Sequence, residues 1–102
     1  MRAITVTPGT PGSLRLAEVP EPAADGRRVI ATTLAIGVCG TDIEIVSGAY
    51  GWAPPGCDRL VLGHESVVRV LAAPAASGLQ SGDLAVASFD PPIRCRAYID
   101  IF

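Results

Sequence analysis

The sequence predicts a mainly β fold with one or two short helices, and three observations carry that expectation. Alternating runs at residues 2–7 and 13–18 flank Pro8-Gly9-Thr10-Pro11-Gly12, a turn cluster that reads as a β-hairpin. Apolar and β-branched residues dominate 27–36 and 66–71, a composition that suits strands. Helical spacing with a start and a stop signal marks one short stretch, ending at Gly48. A chain of 102 residues fits a single domain, 1–102, with room for one modest core. With 49% hydrophobic and 18% charged residues, the composition is globular rather than disordered.

Taken in order, the first strand places Ile4 and Val6 on one face and Ala3, Thr5 and Thr7 on the other. The second is expected to point Leu14 and Leu16 inward. Pro20-Glu21-Pro22 and Asp25-Gly26 then break the chain. Arg27 to Ile36 forms a strand that leads into Gly37-Val38-Cys39-Gly40-Thr41-Asp42. Thr41 is the expected N-cap of a short helix, with Glu44 at capping-box spacing. Ile43 and Val46 share one face of that helix, and Gly48 ends it.

Tyr50-Gly51-Trp52-Ala53-Pro54-Pro55-Gly56-Cys57-Asp58 reads as an irregular loop. From Leu60 to Leu71 the valines do not alternate cleanly, so periodicity leaves helix and buried strand open. Valine content favours the strand. Ala72 to Gly82 is a small-residue loop, Asp83 to Ser88 a short strand, and Tyr98–Phe102 a last strand-like alternation.

Cys39 carries the first chemical signal. A cysteine just ahead of a helix meets unpaired N–H groups and the positive end of the dipole. Both favour the thiolate, the form that ligates metal or attacks carbon. Taken alone, the residue reads equally as a small buried apolar side chain. Gly63-His64-Glu65, 25 residues further on, adds an imidazole and a carboxylate, so three zinc-ligand types are present. Adjacent residues on a strand point to opposite faces, so His64 and Glu65 share an ion only if the backbone bends. Gly63 allows that bend. His64 also reads as a neutral histidine hydrogen-bonded to Glu65.

Several classes are excluded. The formal charge is −2, and all eight basic residues are dispersed arginines. No electrostatic footprint for nucleic acid or an anionic membrane results. No apolar run approaches the ~18 residues of a membrane span, and the first residues lack a signal-peptide core. Three cysteines is an odd number, so no disulfide framework is expected, and a reducing cytoplasm is the expected compartment.

Taken together, Gly37-Val38-Cys39-Gly40-Thr41-Asp42, Gly63-His64-Glu65 and Ser81-Gly82-Asp83-Leu84-Ala85-Val86 resemble ordered motifs of a known family. It is the zinc-dependent medium-chain alcohol and sugar dehydrogenases, in their N-terminal GroES-like catalytic domain. Glu44-Ile45-Val46-Ser47-Gly48 and Leu60-Val61-Leu62-Gly63-His64-Glu65 look closest to the glucose dehydrogenase branch. The resemblance implies a partly open β-barrel and one catalytic-type zinc held by Cys39, His64 and Glu65. It also implies a further ligand from outside this region, with Glu65 inside or just beyond the ligand set. Thr41 resembles the hydroxyl that relays the substrate proton, Glu65 a second catalytic group, and Trp52 a wall of the substrate cleft. Trp52 also reads as part of a plain surface loop, and Asp42 as structural.

The family oxidises a small-molecule alcohol or sugar with NAD(P)⁺. This sequence has neither Gly-x-Gly-x-x-Gly nor the βαβ pattern that would carry it, so the nicotinamide would need a further domain. The family's structural zinc uses four cysteines where this chain has only Cys95, too few for a tetrahedral site. Val68 stands where the family has glycine, and Ala72-Ala73-Pro74-Ala75 replaces a Glu-Val-Gly rhythm. Both departures suggest relaxed constraint or a repurposed barrel. One alternative is therefore a metal-free barrel that binds an apolar molecule or a partner protein. It would be a homodimer paired through Tyr98–Phe102. Another is a small cofactor-free enzyme using Glu65 or His64 as general acid or base.

Overall fold

The computed structural model describes residues 1–87. Its strands are β1 (Arg2–Val6), β2 (Arg15–Glu18), β3 (Ile30–Ile36), β4 (Leu60–Val61), β5 (Ser66–Ala72) and β6 (Leu84–Ala87). One helix, α1 (Gly40–Ser47), follows β3, and a 3₁₀ turn covers Ala75–Ser77. The expected hairpin forms, with Arg2 opposite Glu18 and Thr5 opposite Arg15. In its turn the Ser13 hydroxyl donates to the Thr7 carbonyl at 3.0 Å and accepts from the Thr7 N–H at 2.9 Å. These two bonds close the hairpin base.

The strands make two antiparallel three-stranded sheets, in the orders β2-β1-β4 and β3-β5-β6. Ser66, Val68 and Val70 are buried while Val67 and Arg69 are exposed. That period of two decides for the strand at the valine run. The core joins the helix to the hairpin sheet: Val6, Ile45 and Leu60 pack together, with Leu62 against them. Val6 is wholly buried, a contribution of about 2 kcal/mol.

Arg59 fastens the same sheet from the side. Its Nε donates to Thr5 Oγ1 at 2.8 Å and its Nη1 to Thr7 Oγ1 at 2.9 Å. Its Nη2 reaches the carbonyls of Ser13 and Thr5 at 2.6 and 3.1 Å. The guanidinium thus ties the loop before β4 to both arms of the hairpin. Nothing local in the sequence marked this residue.

The described sheets do not close into a barrel, in keeping with the partly open form expected, and β2, β4, β3 and β6 are their edge strands. Two expectations need correction. Leu14 and Leu16 are not inward, being 46% and 61% exposed, whereas Ala3 and Thr5 are buried. Alternation fixes which residues share a face, but tertiary packing decides which face is covered. The N-cap of α1 is Cys39 rather than Thr41. The Tyr98–Phe102 strand and Cys95 lie outside the described residues. Among the described residues, no helix is long and apolar enough to cross a membrane.

Candidate metal centre

The register of the second sheet builds the site. β3 and β5 pair as far as Ile36 opposite Ser66, and the Gly37 N–H then donates to the Glu65 carbonyl at 2.7 Å. One step further, the chain leaving β3 passes the chain entering β5. That brings Cys39 beside His64, with Sγ 3.3 Å from Nε2. On the other side, the Leu62 N–H still bonds the Ile4 carbonyl of the hairpin sheet at 2.9 Å. Residues 63–65 therefore carry the chain from one sheet to the other. Gly63 makes the turn with φ 122°, a value that L side chains rarely adopt. The expected bend is present.

Helix α1 supplies the second half of the corner. The Cys39 N–H donates to Asp42 Oδ2 at 2.9 Å, so Asp42 closes the first turn in the place expected for Glu44. Asp42 Oδ1 faces His64 Nδ1 at 3.4 Å, with both side chains largely buried. That separation is too long for a good hydrogen bond, and Oδ1 has no hydrogen-bond partner. The contact is electrostatic. Placing the ring proton on Nδ1, toward the carboxylate, leaves the Nε2 lone pair directed at Cys39. Sequence reading assigned Asp42 only to the helix. Its role toward His64 could have been found from the Cys-x-x-Asp spacing, which mirrors a capping box with a thiol at its head.

Sulfur, imidazole nitrogen and a Glu65 carboxylate oxygen all lie within 4.8 Å of one another. Ideal tetrahedral zinc, with bonds of about 2.3 Å to sulfur and 2.0 Å to nitrogen, sets its S···N separation at about 3.5 Å. The 3.3 Å found here is close to that. Glu65 is exposed and Cys39 half-buried, which leaves the corner open to solvent on the carboxylate side. In chemistry and spacing the donor set fits zinc.

Thr41 is exposed on the first turn of α1. Trp52 is 60% exposed and packs edge-to-face on Tyr50, with ring centroids 5.9 Å apart. Beside the corner lies an apolar cleft of ≈ 260 Å³, lined by residues including Ile36, Val38, Ile43, Val46 and Leu62. Trp52 does not line that cleft.

Residues 25–100 match the alcohol dehydrogenase GroES-like domain. The chain belongs to this family. It is 48% identical over 101 residues to a glucose 1-dehydrogenase of Thermoproteus tenax, covering 98% of this chain and 29% of that protein. A glucose 1-dehydrogenase of Caldivirga maquilingensis is 40% identical over 102 residues, with 98% and 29% covered. Among solved structures, Haloferax mediterranei glucose dehydrogenase in complex with NADP, Zn and gluconolactone superposes with a TM-score of 0.71. That match is 40% identical and covers 84% of this chain and 24% of the other. The chain thus spans under a third of the length of the curated relatives it matches.

Proposed function

We propose that this chain is the catalytic-domain portion of a zinc-dependent, NAD(P)-linked dehydrogenase acting on a sugar of the glucose type. The observation that carries the reading is the Cys39 Sγ–His64 Nε2 approach of 3.3 Å, with the Glu65 carboxylate inside the same 4.8 Å group. The relatives' names and the NADP, Zn and gluconolactone of the Haloferax mediterranei complex supply the substrate class. Cys39 and His64 would hold zinc with Glu65 as third donor, and Asp42 orients the imidazole. Bound zinc supplies Lewis-acid polarisation of a substrate hydroxyl oxygen. Thr41 is assigned to receive the proton that this hydroxyl gives up, and Trp52 to border the sugar. Nicotinamide binding is assigned to a separate dinucleotide-binding domain.

Residues 1–102 are read as one domain. A homodimer is assigned on the strand edges, which offer unpaired backbone groups. A cytoplasmic setting suits a thiol that must stay reduced to ligate metal. The test of the metal reading is elemental analysis of protein purified without chelator. One zinc per chain is expected, and none in Cys39→Ala. Protein that carries no zinc and takes up none on titration would overturn it.

A further inference from the structure

Gly37 is a glycine whose backbone does not require one. Its φ is not in the left-handed region that explains Gly63, Gly48 and Gly9. Space explains it instead. A Cβ at residue 37 would lie 3.2 Å from Glu65 Oε2, 3.3 Å from Glu65 Cβ and 3.4 Å from the Glu65 carbonyl oxygen. All three nearest atoms belong to one residue, the third donor of the proposed site. At Gly40, the next glycine along, an added Cβ would meet nothing within 4 Å.

The two backbones cannot easily separate to make room. They are joined by the 2.7 Å hydrogen bond from the Gly37 N–H to the Glu65 carbonyl, one step beyond the Ile36–Ser66 pair. What can yield cheaply is the end of the Glu65 side chain, which is exposed and turns on single bonds. A methyl group at residue 37 therefore pushes the carboxylate, the nearest of the three atoms, away, while the contacts to Glu65 Cβ and the carbonyl oxygen shift the hydrogen-bonded backbones only slightly. We propose that Gly37 is a positioning residue: its missing side chain is the space that lets Glu65 fold back toward Cys39 and His64. Position 37 then decides whether the site offers an ion three protein donors or two. The inference rests on the zinc reading above and adds what holds the third donor.

The test uses cobalt(II) and zinc titrations of the full chain, with cobalt absorption reporting coordination. Gly37→Ala is expected to weaken binding about tenfold, within the range for residues that support a ligand, and to change the cobalt spectrum. The Gly37→Ala/Glu65→Ala double variant should bind no more weakly than Glu65→Ala alone, because Gly37 acts only through that carboxylate. Gly40→Ala should bind like the native chain. Equal weakening by Gly37→Ala in both backgrounds would mean a general loss of structure and would overturn the proposal. So would unchanged affinity and spectrum in Gly37→Ala.

Should Gly37→Ala fail to fold, adding Glu65→Gly removes the overlap and should restore folding. Failure to restore it also overturns the proposal. A native chain that binds neither metal brings down the site itself. A native chain that binds both, with Gly37→Ala indistinguishable from it, brings down only this inference.

Discussion

Arg59 and the Cys39–His64 corner both join segments far apart in the chain, yet they are finished to different degrees. The guanidinium places four hydrogen bonds of 2.6–3.1 Å on hydroxyls and carbonyls. Its directional donors are nearly exhausted, so it has little left to offer a ligand. At the corner, a sulfur and a nitrogen approach at 3.3 Å, a carboxylate oxygen stands 3.4 Å from the ring, and that oxygen has no hydrogen bond. Buried polar groups are normally paired. The Arg59 cluster holds the fold, whereas the corner gathers three metal-ligand types and keeps one buried carboxylate oxygen, Asp42 Oδ1, without a hydrogen bond.

That contrast breaks if the two clusters respond alike to substitution. The largest effect is expected from Cys39→Ala or His64→Ala, each lowering zinc affinity by at least about 100-fold, by titration against a chromophoric chelator. Without metal, both should melt close to the native chain. Arg59→Met should do the opposite, lowering the melting midpoint by several degrees in calorimetry while zinc affinity stays within about twofold. If Arg59→Met weakened zinc as much as His64→Ala, the two clusters would not divide holding the fold from binding the ion.

Asp42→Ala should fall between the two, because it touches both jobs. Loss of the cap is expected to destabilise the helix by about 1 kcal/mol, and loss of the His64 contact to weaken zinc about tenfold. Asp42→Asn keeps an oxygen for the Cys39 N–H. It should recover most of the stability and little of the affinity. Recovery of both together would make Asp42 a cap alone.

The smallest effect sharpens the baseline. The Arg27 backbone N–H holds the Asp25 carboxyl below its usual value of 3.8, opposed by desolvation and helped to a lesser degree by the charges of Arg28 and Arg27. A carboxyl lowered in the folded state stabilises above its unfolded pKa, and that gain is lost as pH falls through the folded value. On so exposed a turn, Asp25→Asn should change the melting curve at neutral pH barely measurably, and the gap should vanish in acid. A larger loss would place Asp25 in a contact beyond its own turn.

Much of this was legible in the residues. The hairpin, the Gly48 stop and the strand at Ser66–Ala72 follow from alternation, glycine and valine, all of them local signals. The approach of Cys39 to His64 was legible from ligand types and the family resemblance of the two motifs, and the bend at Gly63 from the need to bring Glu65 to the same side. The helix start was misplaced because a thiol is not a usual cap, although Cys39 and Asp42 hold the same spacing as the expected box. Leu14 and Leu16 were misplaced because a strand does not record which side will be covered. Arg59 was invisible because its partners Thr5 and Thr7 lie 54 and 52 residues away.

At the far end of α1 from Cys39, the chain turns at Gly48 with φ 83°, and a Cβ there would sit 2.9 Å from Pro11 Cδ. The helix is thus a strut of eight residues, about 12 Å long, butted against the hairpin loop at one tip and bearing the thiol at the other. A longer or bulkier loop at residues 9–12 would press on that strut at the tip opposite the thiol. A surface turn is thereby linked through one rigid element to the proposed metal corner.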